Sequence, residues 1–331
     1  MNNPFPEDLT SATRIIVLHE GPNPTTDFYL SRRLDQQSLP VEWLTLNQCP
    51  DPALLQDAAL IVVRYLTPKW QRFLDPHVTK LHQFIWLIDD DLLDMGVLLK
   101  VSGGLGWKWF WRAWRFQSWF KQQSASLWVS TPYLANKYAS WQPRLLPPCS
   151  PYANLPSQAS SLISDSTTPI VFYHGSLSHR REQKWLYPVF EAVARACPNV
   201  RFELIGNRSV ERFFAAIPQV KIYPPMSWPD YKQWIQQPGR TLGLAPLLDD
   251  AVNAARAPTR FYDIQASGAI GLYSAGPIYE GVVDQGANGY LLPTEQSRWA
   301  EKIISMIQST SQHQTQQSVA VDSRTLLRSS E

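Results

Sequence analysis

The stretch Thr241–Leu292, TLGLAPLLDDAVNAARAPTRFYDIQASGAIGLYSAGPIYEGVVDQGANGYLL, decides the fold. Its first apolar run, Thr241–Leu247, predicts a buried strand. Pro258 is typical of the first turn of a helix, and Gly268 is typical of the residue in left-handed conformation that ends a helix. Two further short strands are predicted after that helix, over Ala269–Ser274 and Tyr290–Leu292. This alternation of strands and helices is typical of a parallel α/β domain.

Two arginines flank the start of the predicted helix. Arg256 precedes it and Arg260 lies in its first turn, with Asp263 one turn further along the same face. In parallel α/β sheets, ligands bind at the carboxyl ends of strands, where helix N-termini point their N–H groups outward. Two cations near the positive N-terminal end of a helix dipole are electrostatically unfavourable, and a bound anion would offset that cost. The sequence therefore predicts a phosphate site here, and the alternative is an ordinary parallel domain with a solvated, arginine-rich helix.

The same stretch resembles the nucleotide-sugar-binding region of GT-B glycosyltransferases, especially those of family 4. Asp263 lies five positions before Gly268, which is the family's spacing for an acid and a glycine. Arg256-Ala257-Pro258-Thr259-Arg260 is similar to the basic segment ahead of that acid. Two later segments also match, Gly276-Pro277-Ile278-Tyr279 and the turn Asn288-Gly289.

The resemblance implies a role for each matching residue. Asp263 is expected to contact the ribose hydroxyls of a nucleotide sugar, and Arg256 and Arg260 its diphosphate. The expected donor-binding set also includes Asn253 and Tyr279. One position departs from the family, because many members carry a glutamate where this chain has Ala255. We expect Asp249 or Asp250 to substitute for that glutamate if the sugar contact is kept.

The composition indicates a globular protein with two domains. The chain has 331 residues, of which 44% are hydrophobic and 18% charged. A net charge of +2 argues against a nucleic-acid-binding protein by charge alone. Its three cysteines are far apart and odd in number, which argues against a disulfide framework or a cysteine-based zinc site. They are Cys49, Cys149 and Cys197.

The sequence also bears on location. The first residues, MNNPFPEDL, lack a basic region followed by an apolar core, which argues against a signal peptide. No apolar run approaches the ~18 residues of a membrane-spanning helix. We expect a cytoplasmic protein, and peripheral contact with the inner face of a membrane stays open.

Strand and helix patterns alternate in both halves of the chain. The continuous apolar run Ala58–Tyr65 predicts a strand buried on both faces, and helices are predicted over Asp27–Leu34 and Pro68–Leu81. A segment rich in Pro and Ser, residues 147–169, indicates a domain boundary. We predict an α/β protein with two doubly wound, Rossmann-like domains, and the GT-B resemblance implies that they face a cleft. The predicted parts are an acceptor-side domain 1–147, a linker 148–169, a donor domain 170–307 and a flexible tail 308–331.

A second basic loop follows the first predicted strand of the donor domain. Gly175 would let a ligand approach the backbone, and cations follow it at a predicted helix N-terminus. The loop resembles the one that holds the pyrophosphate in GT-B donor domains. Arg180 or Arg181, together with Lys184, would fill that role. The alternative is a solvated basic helix start.

Three adjacent acids, Asp89, Asp90 and Asp91, follow the apolar run FIWLI. They repel one another, so exposure or pairing with cations is expected. One interpretation is an N-cap with first-turn acids of a helix. The resemblance instead implies that they lie near the acceptor hydroxyl, which one Asp could orient or deprotonate. No metal is expected, since GT-B enzymes generally need none.

The loop after the first predicted strand is a candidate for acceptor contacts. It contains Gly21, two prolines, Thr25, Thr26 and Asp27. In the GT-B fold the first such loop faces the cleft, so acceptor contacts through Thr25, Thr26 or Asp27 are one interpretation. A purely structural turn is the other interpretation.

The segment Trp107–Lys121, WKWFWRAWRFQSWFK, is aromatic and basic and contains no acid. We predict one helix with aromatic side chains on nearly all sides. Tryptophan with basic residues suits an anionic membrane interface. Packing into the acceptor domain, with snorkelling cations, is an equal alternative. Nucleic-acid stacking is a third interpretation, which we do not adopt.

These patterns together predict a glycosyltransferase that uses a nucleotide-diphosphate sugar as co-substrate and no cofactor. By resemblance, the reaction retains the anomeric configuration, and the acceptor is a cell-surface glycan, a glycolipid or a lipid-linked saccharide. Two alternatives stay open: a GT-B-fold nucleotide-sugar epimerase or hydrolase, and a non-catalytic scaffold of the same fold.

Overall fold

The computed structural model describes residues 9, 11–101, 104–152, 168–175 and 179–309. The chain divides into two compact units. The first is Met1–Ala153 with Asp249–Thr259, and the second is Asn154–Leu248 with Arg260–Glu331. Most of the predicted linker and nearly all of the predicted tail lie outside the described residues. The segment Asp249–Thr259, which we predicted within the donor domain, packs with the first unit.

Six parallel strands form the sheet of the first unit, in the order β2-β1-β3-β4-β5-β6. They are β1 (Ile15–His19), β2 (Val41–Thr45), β3 (Ala59–Val63), β4 (Gln83–Ile88), β5 (Ser126–Val129) and β6 (Arg144–Leu145). Its α-helices are Pro24–Thr26 continuing through a π-helical turn Asp27–Ser31 into Arg32–Leu34, then Pro68–Leu74, Met95–Leu98, Leu105–Arg112, Gln117–Gln122 and Pro132–Lys137.

The second unit has its own sheet of six parallel strands, in the order β12-β11-β10-β7-β8-β9. They are β7 (Ile170–Tyr173), β8 (Arg201–Ile205), β9 (Val220–Tyr223), β10 (Leu242–Ala245), β11 (Ile270–Ser274) and β12 (Gly289–Leu292). Its α-helices are Arg180–Ala196, Arg208–Phe214, Trp228–Ile235, Thr259–Ala266 and Pro277–Glu280. Residues 296–309 form a further helix.

The predicted fold class is confirmed: two parallel sheets, each with helices between its strands. All five residues of β1 and of β3 are buried, which is why their sequences are apolar without alternation, except for His19 at the end of β1. Helix starts follow local signals. Thr67, Thr131 and Ser227 each accept a hydrogen bond from the backbone N–H three residues on, with a proline in the first turn.

Two predicted helices have other boundaries. The helix predicted over Asp27–Leu34 begins earlier, at Pro24, because the side chain of Asn23 caps it by accepting from the Thr26 N–H. The helix predicted over Pro68–Leu81 ends at Leu74. Pro76 explains that end, since proline cannot continue a helix and disfavours helical geometry in the residue before it.

The segment Trp107–Lys121 forms two short helices, so the prediction of a single helix is wrong. The first ends at Ala113, which leaves helical geometry with φ −132° and ψ −68°, and the 3-10 turn Trp114–Phe116 joins it to the second. Buried positions still recur every three or four residues, at Trp109, Ala113, Phe116 and Phe120. The outward face carries other tryptophans, so the segment is partly core and partly surface.

Each unit has its own hydrophobic core. Trp70, Trp86 and Trp109 are fully buried in the first, and Trp299 of the last helix is fully buried in the second. In the part of the chain that the structure describes, no helix is both long enough and apolar enough to span a bilayer.

Candidate functional site

The first unit gathers polar side chains at the carboxyl end of its sheet. β1 lies between β2 and β3, so the direction of strand succession reverses at β1 and β3. Ligands of doubly wound sheets bind at the carboxyl ends of strands beside such a reversal. The segments that follow β1, β3 and β4 supply Thr25, Arg64, Asp89 and Asp90 to this place.

The loop after β1 brings one of its predicted acceptor residues into the cluster. Thr25 is buried, and its hydroxyl donates to Asp89 Oδ2 at 2.7 Å. Thr26 donates instead to the Asn23 carbonyl at 2.8 Å, within its own turn. Asp27 accepts from the Ser31 hydroxyl at 2.8 Å, along the same helix. Gly21 has φ +127°, which favours glycine, and opens the turn. Thr25 is therefore the residue of this loop that the structure joins to the carboxylates.

The three aspartates separate into two environments. Asp89 and Asp90 both face the guanidinium of Arg64. Asp91 is buried elsewhere, where Lys137 Nζ lies 2.6 Å from its Oδ2 and the hydroxyl of Tyr138 donates to its Oδ1. The contacts of Asp91 are those of a structural ion pair. None of the three aspartates is a helix N-cap, because Asp94 caps the following helix Met95–Leu98.

Arg64 is the residue of this cluster that sequence reasoning missed. Its Nη1 lies 2.9 Å from Asp89 Oδ1, and its Nη2 lies 2.8 Å from Asp90 Oδ2. Its backbone has φ +60°, an uncommon conformation for a non-glycine residue, and its carbonyl accepts from Trp86 Nε1 at 3.1 Å. A cation that directly follows a continuous apolar strand was the available signal, since it stands at the carboxyl end of a buried strand.

Asp89 has the most perturbed environment of the three acids. Burial raises the pKa of its carboxyl, the Arg64 guanidinium opposes that rise, and the negative charge of Asp90 adds to it. Its Oδ1 is buried and accepts no hydrogen bond from the described residues, although Arg64 is at ion-pair distance. A ligand hydroxyl that reached this oxygen would supply the hydrogen bond that the described residues do not give it, which makes Asp89 the preferred candidate to orient a hydroxyl.

The segment Asp249–Thr259 adds to the same unit. Asp250 accepts from the backbone N–H groups of Val252 and Asn253, just before the 3-10 turn Asn253–Ala255. Ala255 is fully buried in the core of the first unit, and Arg256 Nη1 lies 3.6 Å from Asp90 Oδ1. Asn253 is buried within this turn. A glutamate at position 255 would place a charge in that core, which explains physically why the position is apolar here.

The second unit presents the predicted diphosphate loop at the end of β7. Arg180, Arg181 and Lys184 are all exposed in the first turns of the helix Arg180–Ala196, and Arg180 Nη2 donates to the Ser209 hydroxyl at 3.0 Å. Gly175 has a packing role, because a Cβ there would lie 2.6 Å from the hydroxyl of Tyr173. The space that the glycine leaves is thus occupied by this tyrosine ring. Residues 176–178 lie outside the described residues.

The helix Thr259–Ala266 carries Arg260 and Asp263 in the second unit. The guanidinium of Arg260 lies over the ring of Tyr173, 4.6 Å from its centroid. Its Nη1 is buried and makes no hydrogen bond within the described part of the chain. Burial raises the pKa of Tyr231 well above its ordinary value, and the charge of Asp263 and a hydrogen bond to it raise that pKa further. Asp263, the predicted ribose-binding acid, is therefore held by Tyr231. Arg260, the predicted phosphate-binding arginine, has one N–H group, on Nη1, without an acceptor among the described residues.

Two neighbours complete this part of the second unit. His174, directly after β7, lies with Nδ1 3.4 Å from the hydroxyl of Tyr231. Burial, and then the charges of Arg240 and Arg260, lower the pKa of His174 well below its ordinary value, so it is neutral near pH 7. Tyr279, which we predicted to bind the donor, is buried with its ring 4.9 Å from that of Tyr273. No group of three or more His, Cys, Asp or Glu suited to a metal occurs among the described residues.

Solved structures share this architecture. HepE from Anabaena, in complex with UDP and glucose, superposes with a TM-score of 0.53 at 13% identity, over 90% of this chain and 91% of HepE. WaaG, a glycosyltransferase involved in lipopolysaccharide biosynthesis, gives 0.52 at 12% identity, over 89% of this chain and 90% of WaaG.

The chain has the GT-B fold. A mutant of TarM from S. aureus, in complex with fondaparinux, alpha-GlcNAc-glycerol and UDP, gives a TM-score of 0.51 at 12% identity. That match covers 77% of this chain and 50% of TarM, so this chain spans half the length of that structure. No family model and no curated protein matches the sequence. The GT-B prediction is confirmed, whereas membership of family 4 and the individual site residues stay predictions.

Proposed function

We propose that this GT-B protein is a glycosyltransferase that moves a sugar from a nucleotide-diphosphate sugar to a hydroxyl acceptor. The observation that carries the proposal is the helix Thr259–Ala266, which presents a half-buried arginine, Arg260, whose Nη1 makes no hydrogen bond within the described residues and, one turn on, an acid ordered by a tyrosine. The structural neighbours support it, since HepE and TarM were solved with UDP and WaaG is a glycosyltransferase.

The second unit would bind the donor. Asp263 would accept from the ribose hydroxyls, and Arg260 would donate from Nη1 to the diphosphate. The exposed cations Arg180, Arg181 and Lys184 stand at the N-terminus of a 17-residue helix, where the dipole also favours an anion. Negative charge grows on the diphosphate as its bond to the sugar breaks. Cations held in place before the reaction stabilise that charge without reorganising.

The first unit would hold the acceptor. Asp89 would accept a hydrogen bond from the acceptor hydroxyl, with Thr25 and Arg64 fixing the carboxylate. During transfer the hydroxyl oxygen bonds to the anomeric carbon, the carbon–oxygen bond to the diphosphate breaks, and the hydroxyl proton passes to a basic oxygen. The raised pKa of Asp89 would make its carboxylate a better acceptor for that proton, because a stronger base binds a proton more readily. We place Asp90 in a supporting role and Asp91 in a structural one.

The finer features of the proposal rest on resemblance and composition. We propose a retaining reaction without a resident metal, and an acceptor that is a cell-surface glycan, a glycolipid or a lipid-linked saccharide. We also propose a cytoplasmic protein that associates peripherally with the inner membrane face. The exposed tryptophans of the helix Leu105–Arg112 support this association.

A binding experiment tests the donor site before any acceptor is known. Thermal shifts with UDP, GDP, ADP, dTDP and CMP, each with and without EDTA, should single out one nucleoside diphosphate. A ligand at 100 times its dissociation constant stabilises by about 2.7 kcal/mol. Asp263→Ala should raise that dissociation constant at least tenfold by calorimetry. Asp284→Ala, at an exposed acid of the same unit, is the matched control. An unchanged constant in Asp263→Ala would remove the donor assignment.

Analysis of reaction products distinguishes a transferase from the two alternative functions. A GT-B-fold epimerase or hydrolase would convert the donor alone, whereas a transferase needs an acceptor. A non-catalytic scaffold would bind the nucleotide without turnover. The main sequence support for a scaffold was Ala255, and its burial in the first unit gives that residue a packing role instead.

A further inference from the structure

One stretch of the first unit, residues 99–101 and 104–115, exposes both apolar and cationic side chains. The side chains of Leu99, Trp107 and Trp111 are 81%, 67% and 42% exposed. Lys100, Lys108 and Arg115 are exposed in the same stretch of chain. We call these six residues the interface patch. Large exposed apolar side chains in one contiguous stretch mark a binding surface more often than isolated ones do.

The stretch of sequence that contains the interface patch carries charges of one sign. From residue 95 to residue 164 the chain contains no Asp or Glu. The same 70 residues carry seven cations, Lys100, Lys108, Arg112, Arg115, Lys121, Lys137 and Arg144. The net charge of the whole chain is only +2, so this stretch concentrates positive charge that acids elsewhere balance. A surface of this kind is complementary to an anionic partner.

Contacts with neighbouring side chains fix the exposed rings of Trp107 and Trp111. Trp107 stacks on Phe110 with centroids 5.7 Å apart, and Phe110 stacks on Trp114 at 5.1 Å. The guanidinium of Arg115 lies 4.8 Å from the ring of Trp111. Below them, Trp109 is buried in the core. Indoles fixed in this way lose little conformational entropy on binding, and indole with nearby cations is the combination that favours a bilayer interface.

Lys108 joins the interface patch to the acceptor cluster. Its ammonium lies 2.8 Å from Glu20 Oε2 and 4.6 Å from the ring centroid of Tyr65. Glu20 directly precedes the loop that carries Thr25, and Tyr65 directly follows Arg64. The helix that bears the exposed tryptophans therefore contacts the loops after β1 and β3, which hold the acceptor cluster.

We propose that the interface patch binds the surface of an anionic bilayer, and that the acceptor cluster takes its hydroxyl substrate from a lipid in that surface. The second part rests on the function proposed above, whereas the first part does not. Leu99 and the two tryptophans enter the headgroup region, and Lys100 and Arg115 bind lipid phosphates. A nucleic acid could satisfy the charges and stack on the rings, but it gives no reason for the largely exposed aliphatic side chain of Leu99.

Vesicle flotation tests the surface without any enzyme assay. The full chain is mixed with vesicles of phosphatidylcholine, with and without phosphatidylglycerol, and the bound fraction is measured over a salt series. We expect binding to require the anionic lipid and to weaken with salt. Lys100→Gln with Arg115→Gln should lower the partition coefficient about fivefold per charge. Trp107→Ser with Trp111→Ser should lower it at least tenfold, because the apolar contact is lost.

Matched controls keep this result specific. Phe213→Ser changes an aromatic side chain of the second unit with the same 42% exposure as Trp111. Arg195→Gln removes a cation whose side chain is 76% exposed. Neither should change vesicle binding by more than twofold. Melting curves of all variants, with and without the nucleoside diphosphate, show that folding and donor binding are intact, so failure of the surface is distinguished from failure of the proposed transferase.

Three results would overturn the proposal. They are equal binding to neutral and anionic vesicles, vesicle binding unchanged by the two tryptophan substitutions, and tighter binding to a single-stranded oligonucleotide than to anionic vesicles. For the acceptor, transfer to a lipid-linked saccharide in vesicles should fall in the tryptophan variant, while transfer to the same saccharide in detergent stays at the wild-type rate. Equal losses in both would refute the link between the interface patch and the acceptor.

Discussion

Replacing Arg64 by methionine should destabilise the first unit strongly. The guanidinium lies 2.9 Å from Asp89 and 2.8 Å from Asp90, and the three side chains are only 17%, 14% and 10% exposed. Breaking a buried ion pair by removing one partner costs about 3–5 kcal/mol, because the other charge stays buried. Arg256, 3.6 Å from Asp90, compensates in part, so we take the lower end. A loss of about 3 kcal/mol corresponds to a melting temperature lower by roughly 6–12 °C for a unit of this size.

The effect of Arg64→Met should depend on pH through Asp89. Burial raises the pKa of this carboxyl in the folded protein, so the folded state holds its proton more firmly than the unfolded chain does. The stability therefore falls as the pH rises from the unfolded pKa, about 3.9, through the raised folded value. Without Arg64 the folded pKa rises further, because the largest opposing influence is gone. The stability difference from the wild type should therefore be smaller near pH 5 than near pH 8.

Urea and thermal unfolding of the wild type, Arg64→Met and Arg72→Met, each at both pH values, measure these quantities. Arg72 is exposed in the same unit and serves as the control. A second comparison isolates the backbone, since φ of Arg64 is +60°. Arg64→Gly should be about 1 kcal/mol more stable than Arg64→Ala, although both lose the ion pairs. A melting temperature of Arg64→Met within about 1 °C of the wild type would refute the reasoning.

Three further predictions concern single positions. Asp89→Asn should lower kcat about 100-fold and cost less stability than Arg64→Met, because Arg64 keeps its ion pair with Asp90, whereas Asp91→Asn should leave kcat nearly unchanged and cost about 2 kcal/mol of stability through its contact with Lys137; a larger loss of kcat in Asp91→Asn than in Asp89→Asn would exchange their roles. Ala255→Glu should destabilise the first unit by at least ~2 kcal/mol and leave donor affinity no better, so tighter nucleotide binding by calorimetry would contradict the packing role. Gly175→Ala should cost about 1–3 kcal/mol, because the new Cβ meets the hydroxyl end of Tyr173; an unchanged denaturation midpoint would show that the ring moves freely.

The sequence predicts most of the regular structure because its signals are local. A strand buried on both faces must be apolar at every position, as in Ala59–Val63, and a helix start needs a side-chain acceptor, as at Thr131. The helix end near Pro76 was also local and could have been predicted. The break at Ala113 could not, since the apolar spacing of the Trp-rich segment continues through it.

In the candidate site, too, local features could be predicted from the sequence and contacts between distant residues could not. Spacing alone predicted that Asp263 and Arg260 share one helix face, because residues one turn apart lie side by side, whereas the ribose-binding role of Asp263 is implied by the resemblance and stays a prediction. The partner of Asp89 was not recognisable, because Arg64 is distant in the sequence and reaches it through the pairing of β3 with β4. Adjacent acids also have different partners. Asp91 meets Lys137 while Asp89 meets Arg64, and the chain alone does not indicate which cation each will contact.

The sequence by itself determined the two α/β halves, the basic helix starts and the aromatic, acid-free stretch. Each is a property of neighbouring residues, whose spacing sets which side chains share a face. Only the tertiary structure decided that Ala255 is a core residue of the first unit and that Trp107 is outside while Trp109 is inside. The physical reason is that burial and ion pairing depend on which distant segments the packing brings together, and that information is not contained in local spacing.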